Sequence, residues 1–143
     1  MKTFQTKTIE DIPVAYVAKN GQPASVAGKA FWELEQKVPL KGNRFYGVYD
    51  ENVNEYKACV AISDTNREAV QDLSHGIIQG GLYAHTTLMG SYSNIVRQIP
   101  STFKSLVSEY TRDKTRPCVE FYKRHTEVIL MFPITHDKRS ILE

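Results

Sequence analysis

One order of hydrophobic periods, strand then helix then two strands, occurs twice along this chain, and that repetition limits its possible folds more than any single motif. Residues Ile12 to Ala18 alternate with period two, Ile12, Val14, Tyr16 and Ala18 against Pro13, Ala15 and Val17, and the run stops at the turn pair Asn20-Gly21. Ser25 is placed to cap a helix over Ser25 to Val38. Within it Val26, Ala27, Ala30, Phe31, Leu34 and Val38 recur at helical spacing, Lys29, Glu33 and Lys37 take the other side, and Pro39 ends the pattern. Two β-rich stretches follow, Arg44 to Asp50 and Tyr56 to Ser63, joined by the polar link Glu51 to Glu55 that suits a hairpin.

A connector, Asp64 to Gly80, has one amphipathic turn around Ala69 to Leu73, and then the order recurs. Gly81 to Leu88 reads as a strand. Tyr92, Ile95, Val96, Ile99, Phe103, Leu106, Val107 and Tyr110 share one face of a second helix, Ser91 to Tyr110, which Pro100 is expected to bend near Arg97. Cys118 to Tyr122 and Glu127 to Ile134 then pair around Lys123 to Thr126. Half-repeats at about 10–64 and 80–135 imply a single α+β domain of 143 residues with pseudo-two-fold symmetry. A curved antiparallel sheet would carry both helices on one face and enclose a ligand cleft at the symmetry axis.

Several function classes are disfavoured by composition. The longest apolar stretch, Val128 to Pro133, is too short to span a bilayer, and the N-terminus turns polar at once, which points to a cytoplasmic protein with no membrane role. Cys59 and Cys118 then read as buried reduced thiols. A net charge of +2 is too weak for a nucleic-acid footprint, and the basic clusters Arg112, Lys114 and Arg116, Lys123 and Arg124, and Lys138 and Arg139 read as solvated turns and tail. His75, His85, His125 and His136 are scattered without metal spacing. No Gly-rich phosphate loop or nucleophile elbow is present, so neither cofactor nor metal is expected.

The segment Arg116 to Tyr122 stands out. Strand alternation puts Cys118, Glu120 and Tyr122 on one face and Val119 and Phe121 on the other; packing the apolar pair under the helices would turn Glu120 toward the uncovered face. From the pattern alone that face is either plain solvent or a pocket floor.

Several segments together resemble a known family. Gly80-Gly81-Leu82-Tyr83-Ala84 leading to Gly90-Ser91-Tyr92, the Pro117-x-x-Glu120-x-Tyr122 segment, and Phe132-Pro133-Ile134 are similar to the GyrI-like small-molecule-binding domain, as are Phe45 to Tyr49 and Tyr56-Lys57-Ala58 in the first half. That domain also serves as the effector-binding module of AraC-type and MerR-type multidrug regulators. The resemblance implies a duplicated strand-helix-strand-strand fold and a site for lipophilic, amphipathic cations beside a glutamate, here Glu120. Candidate walls are Phe31, Trp32, Tyr46, Tyr49, Tyr83, Tyr92 and Tyr122. Met131 stands two residues before the final proline, where many members carry an aromatic. Aromatic faces attract a desolvated cation, and a carboxylate short of water gains a partner when the cation enters.

Three functions follow from the resemblance. The first is a stand-alone module that senses or sequesters cationic small molecules. The second is a hydrolase of strained electrophilic natural products with Glu120 as its general base, although the absence of another catalytic constellation favours binding over catalysis. The third is a gyrase-inhibitor-like interaction. No helix-turn-helix precedes residue 12 or follows residue 134, so any DNA contact is expected from a separate regulator.

Overall fold

The computed structural model describes residues 4–124 and 126–137. Its elements are β1 (Gln5–Ile9), β2 (Ile12–Asn20), α1 (Pro23–Glu35), β3 (Phe45–Asp50), β4 (Glu55–Ala61), β5 (Ser74–Ile78), β6 (Gly81–Met89), α2 (Tyr92–Glu109), β7 (Tyr110–Arg112), β8 (Val119–Arg124) and β9 (Glu127–Asp137). The fold is α+β, and strand-helix-strand-strand occurs twice, as β2-α1-β3-β4 and as β6-α2-β8-β9. The chain forms two compact units: one is Asp11–Gln79, and the other joins the residues up to Glu10 to those from Gly80 onward. His125, Lys138 and Arg139 lie outside the described residues, as does the His136 side chain.

Within the Asp11–Gln79 unit, β2 pairs antiparallel with both β4 and β5, and β4 pairs with β3. Helix α1 starts two residues before the expected Ser25, because Pro23 takes a first-turn position where its missing N–H costs nothing. Ala30 and Leu34 are its buried contacts, and Phe31 meets the buried Tyr56 ring edge-on at 6.1 Å. Opposite Tyr56 in the register lies Tyr49, so Phe45, Gly47 and Tyr49 share the α1 side of β3 while Tyr46 and Val48 take the other side.

The second unit has the same internal strand order. β6 pairs with β1 and β9, β8 is the other neighbour of β9, and β7 adds to β9 as well. Ser91 caps α2 by accepting from the Asn94 amide, and the helix runs unbroken through Pro100. Its core contacts form two adjoining clusters. One holds Leu88, Ile95, Val128 and Leu130, the other Ala84, Leu106, Tyr110, Phe132 and Ile134.

Three strands differ from the expectation. β5 lies inside what reads as connector, and β1 precedes the first hydrophobic alternation; both are mostly exposed along their length, so neither shows an apolar face to recognise. β7 begins at Tyr110, where the expected helix would still continue. The connector has its own anchor in the buried Asn66. Its amide donates to the Ala61 carbonyl at 2.9 Å and to Asn43 Oδ1 at 2.7 Å, while its Oδ1 accepts from the Ser63 amide at 2.9 Å. A buried amide satisfied on both atoms holds this turn in one conformation.

Burial pushes the Cys59 thiol up to about 12, with Lys57 opposing, whereas Cys118 is only part-buried. Because the thiolate is the reacting form, a disulfide reagent at mildly alkaline pH should modify no more than Cys118 in the native protein and both thiols after unfolding. Rapid modification of Cys59 in the native state would show its burial to be wrong.

Candidate functional site

Side-chain parity on β8 is the reverse of the expected one. Tyr122 packs against the cluster containing Ile95 of α2, and Cys118 packs against the cluster containing Leu106 of the same helix. Glu120 has their parity and stands opposite Leu130 in the register, so it lies on the α2 side of the sheet and not on the uncovered face. The expectation took Val119 and Phe121 for the helix-covered pair because they are apolar. That rule fails here because the sheet buries residues on both faces: Val119, its partner Met131, and Tyr83 are all buried on the side away from α2. Alternation reports burial, and where both faces are buried it cannot say which one carries the helix.

On the α2 side, Tyr122 Oη donates a hydrogen bond to Glu120 Oε1 at 2.7 Å, and both residues are half-buried. Tyr92, the first residue of α2, lies within electrostatic reach: burial first, and then the Glu120 charge, raise its phenol above the ordinary value. The residue as a whole remains 51% exposed. The structure therefore brings together a carboxylate, a phenol oriented onto it, and a second aromatic ring open to solvent. Such a set can hold a positive charge by direct attraction and by ring quadrupoles, with Tyr122 fixing the orientation of the carboxylate.

Other expected residues lie elsewhere. Tyr83 and Met131 share the opposite face of the same sheet. Tyr83 lies beneath the Arg116 guanidinium, 4.7 Å from ring centroid to Cζ, and burial raises its phenol, with Arg116 opposing. In the Asp11–Gln79 unit, Phe31 packs on Tyr56, and Tyr49 donates to Asn54 Oδ1 at 2.7 Å across the hairpin turn, where Asn54 has φ +50°. Tyr46 is buried on the side of β3 away from α1, and its phenol is raised by burial against the nearby Arg44. Trp32 is 62% exposed, about 160° around the helix from the buried Ala30 and Leu34 stripe. Among the described residues no three of His, Cys, Asp and Glu converge as a metal site, and no helix is long and apolar enough to cross a membrane.

Sequence reasoning misread one group on α2. Val96, Ile99, Phe103 and Val107 all read as core, yet Val96 and Val107 are exposed and Ile99 and Phe103 only half-buried. The available signal was the width of the apolar arc on α2, which is broader than one packed contact needs.

No family model and no curated protein matches the chain. Solved structures do share its fold. An integron cassette protein from the mobile metagenome of Vibrio cholerae superposes with TM-score 0.70 at 12% identity, over 92% of this chain and 95% of the other. SAV2435, in a structure bound to tetraphenylphosphonium, gives 0.65 at 12% identity over 93% and 94%. The C-terminal domain of EcmrR gives 0.63 at 11% identity over 94% and 98%. At these identities the likeness is one of fold: each of these proteins and this chain share the same α+β architecture.

Proposed function

We propose that the chain binds lipophilic organic cations on the α2 side of β8, with Glu120 as counter-charge and Tyr92 and Tyr122 as aromatic partners. The observation that carries this reading is the half-buried Glu120 carboxylate, held at 2.7 Å by Tyr122 and close enough to Tyr92 to shift its phenol. A partly desolvated carboxylate gains more from an arriving cation than a fully hydrated one does, and rings beside it favour delocalised or alkylated cations over hydrated ones. The tetraphenylphosphonium complex of SAV2435 supports the ligand class, since that protein has the same fold. On this reading the protein acts by occupancy, as a sensor or sequestering module, and the site needs no catalytic turnover.

Calorimetric titration with tetraphenylphosphonium and with tetraphenylborate separates charge from shape, because the two ions share size and aromatic area but differ in sign. The cation should bind at least about tenfold more tightly, roughly 1.4 kcal/mol. Equal affinity, or preference for the anion, would remove the counter-charge from the proposal.

A further inference from the structure

Three large apolar side chains are exposed along α2, Tyr92 at 51%, Val96 at 41% and Val107 at 55%. At roughly 100° per residue they fall, with the half-buried Ile99 and Phe103, into an arc of about 80°. This arc adjoins the fully buried stripe of Ile95, Thr102 and Leu106 and is separate from it. It extends for about 22 Å of helix. Ile99 and Phe103 of the arc pack against the same cluster as Tyr122, which places the arc on the side of α2 that faces Glu120 of β8. Exposed apolar surface aligned on one helix marks a contact surface more often than chance scatter does.

Charge along the arc indicates what fits there. Lys104 and Arg97 are exposed about 60° and 80° beyond its outer edge, so they repel a cationic group there, while Glu120 attracts one on the inner side. β8 runs antiparallel to α2, Tyr122 being level with the Ile95 cluster and Cys118 with the Leu106 cluster, which puts Glu120 between the two. From that level the arc continues past Phe103 to Val107.

Resting on the binding function proposed above, we infer that the preferred ligands are elongated cationic amphiphiles, with the charged head at Glu120 and an alkyl tail laid along Phe103 and Val107 of α2. Compact aryl cations occupy only the head position. Chain length then sets affinity, because each methylene laid on the helix leaves water.

Binding of n-alkyltrimethylammonium ions of roughly eight to fourteen carbons, kept below their micelle concentrations, tests this on the full chain. Affinity should rise about two- to fourfold per methylene. In Val107→Asn, an exposed position away from Glu120, the gain from the longest chains should disappear while tetraphenylphosphonium affinity stays within about twofold. An affinity independent of chain length in the wild type overturns the inference, and so does an undiminished rise in Val107→Asn. Should tetraphenylphosphonium binding remain Glu120-dependent while the chain-length dependence is absent, the amphiphile inference alone falls; loss of all cation binding removes the proposed function as well.

Discussion

Replacing Arg116 with alanine should destabilise the protein by about 3–5 kcal/mol, the cost expected when one partner of a buried charged network is removed. Arg116 is buried and joins three segments of its unit. Nε meets Asp113 at 3.0 Å, and Nη2 donates to the carbonyls of Leu82 at 3.0 Å and Ile134 at 3.1 Å. Truncation leaves the two carbonyls without this donor, and each buried group stripped of its partner adds its own desolvation penalty. Lysine should not rescue the loss, since a single ammonium cannot reproduce the planar fork while stacking on Tyr83. Nη1 of Arg116 has no acceptor among the described residues and packs against the backbone of Gly81. A Cβ at Gly81 would stand 2.7 Å from Nη1 at a φ of +136°, so Gly81→Ala should be destabilising on both counts. Thermal or urea unfolding followed by circular dichroism measures each variant, and a change below about 1 kcal/mol for Arg116→Ala would show that the clamp contributes little.

The same clamp sets an acid limit. Hydrogen bonds from the Thr115 side chain and amide, and then from Arg116, hold the Asp113 carboxyl down at about 2. A folded value below the unfolded one means that the stabilisation is fully present above about pH 4 and declines as pH falls toward 2. In Asp113→Asn this part of the acid limb should flatten; an unchanged pH dependence would assign acid unfolding to other carboxylates.

The sequence carried the repeated part of this fold and left out the additions. Both helices and their strand pairs were legible because each presents a clear period, and boundaries missed by only a few residues, as at Pro23, where backbone chemistry outweighed the cap at Ser25. β1 and β5 were illegible because an exposed edge strand needs no apolar alternation; hydrogen bonding to β6 and β2 fixes them instead. Of the candidate site, Glu120, Tyr122 and Tyr92 could be named from the sequence, but the face on which Glu120 stands could not. Burial of Val119 and Met131 on the far side removed the contrast on which parity reasoning depends. The exposed arc of α2 was hidden for the opposite reason: Val96 and Val107 satisfy a helical core pattern while remaining open to solvent.

Glu120→Gln should lower affinity for tetraphenylphosphonium about 10- to 100-fold with little change in stability. Glutamine matches glutamate in size and can still accept from the Tyr122 hydroxyl, so the substitution removes charge and leaves the local hydrogen bond available. The attraction lost is that of a unit charge pair a few ångströms apart near a protein surface, roughly 3–4 kcal/mol before the desolvation cost is subtracted, which leaves about 1.4–2.8 kcal/mol net. Isothermal titration of tetraphenylphosphonium into the wild type and into Glu120→Gln, with matched unfolding curves as control, is the most direct test of a carboxylate-centred cation site. A drop of tenfold or more at unchanged stability is the expected result, and equal affinity in the two proteins would contradict it.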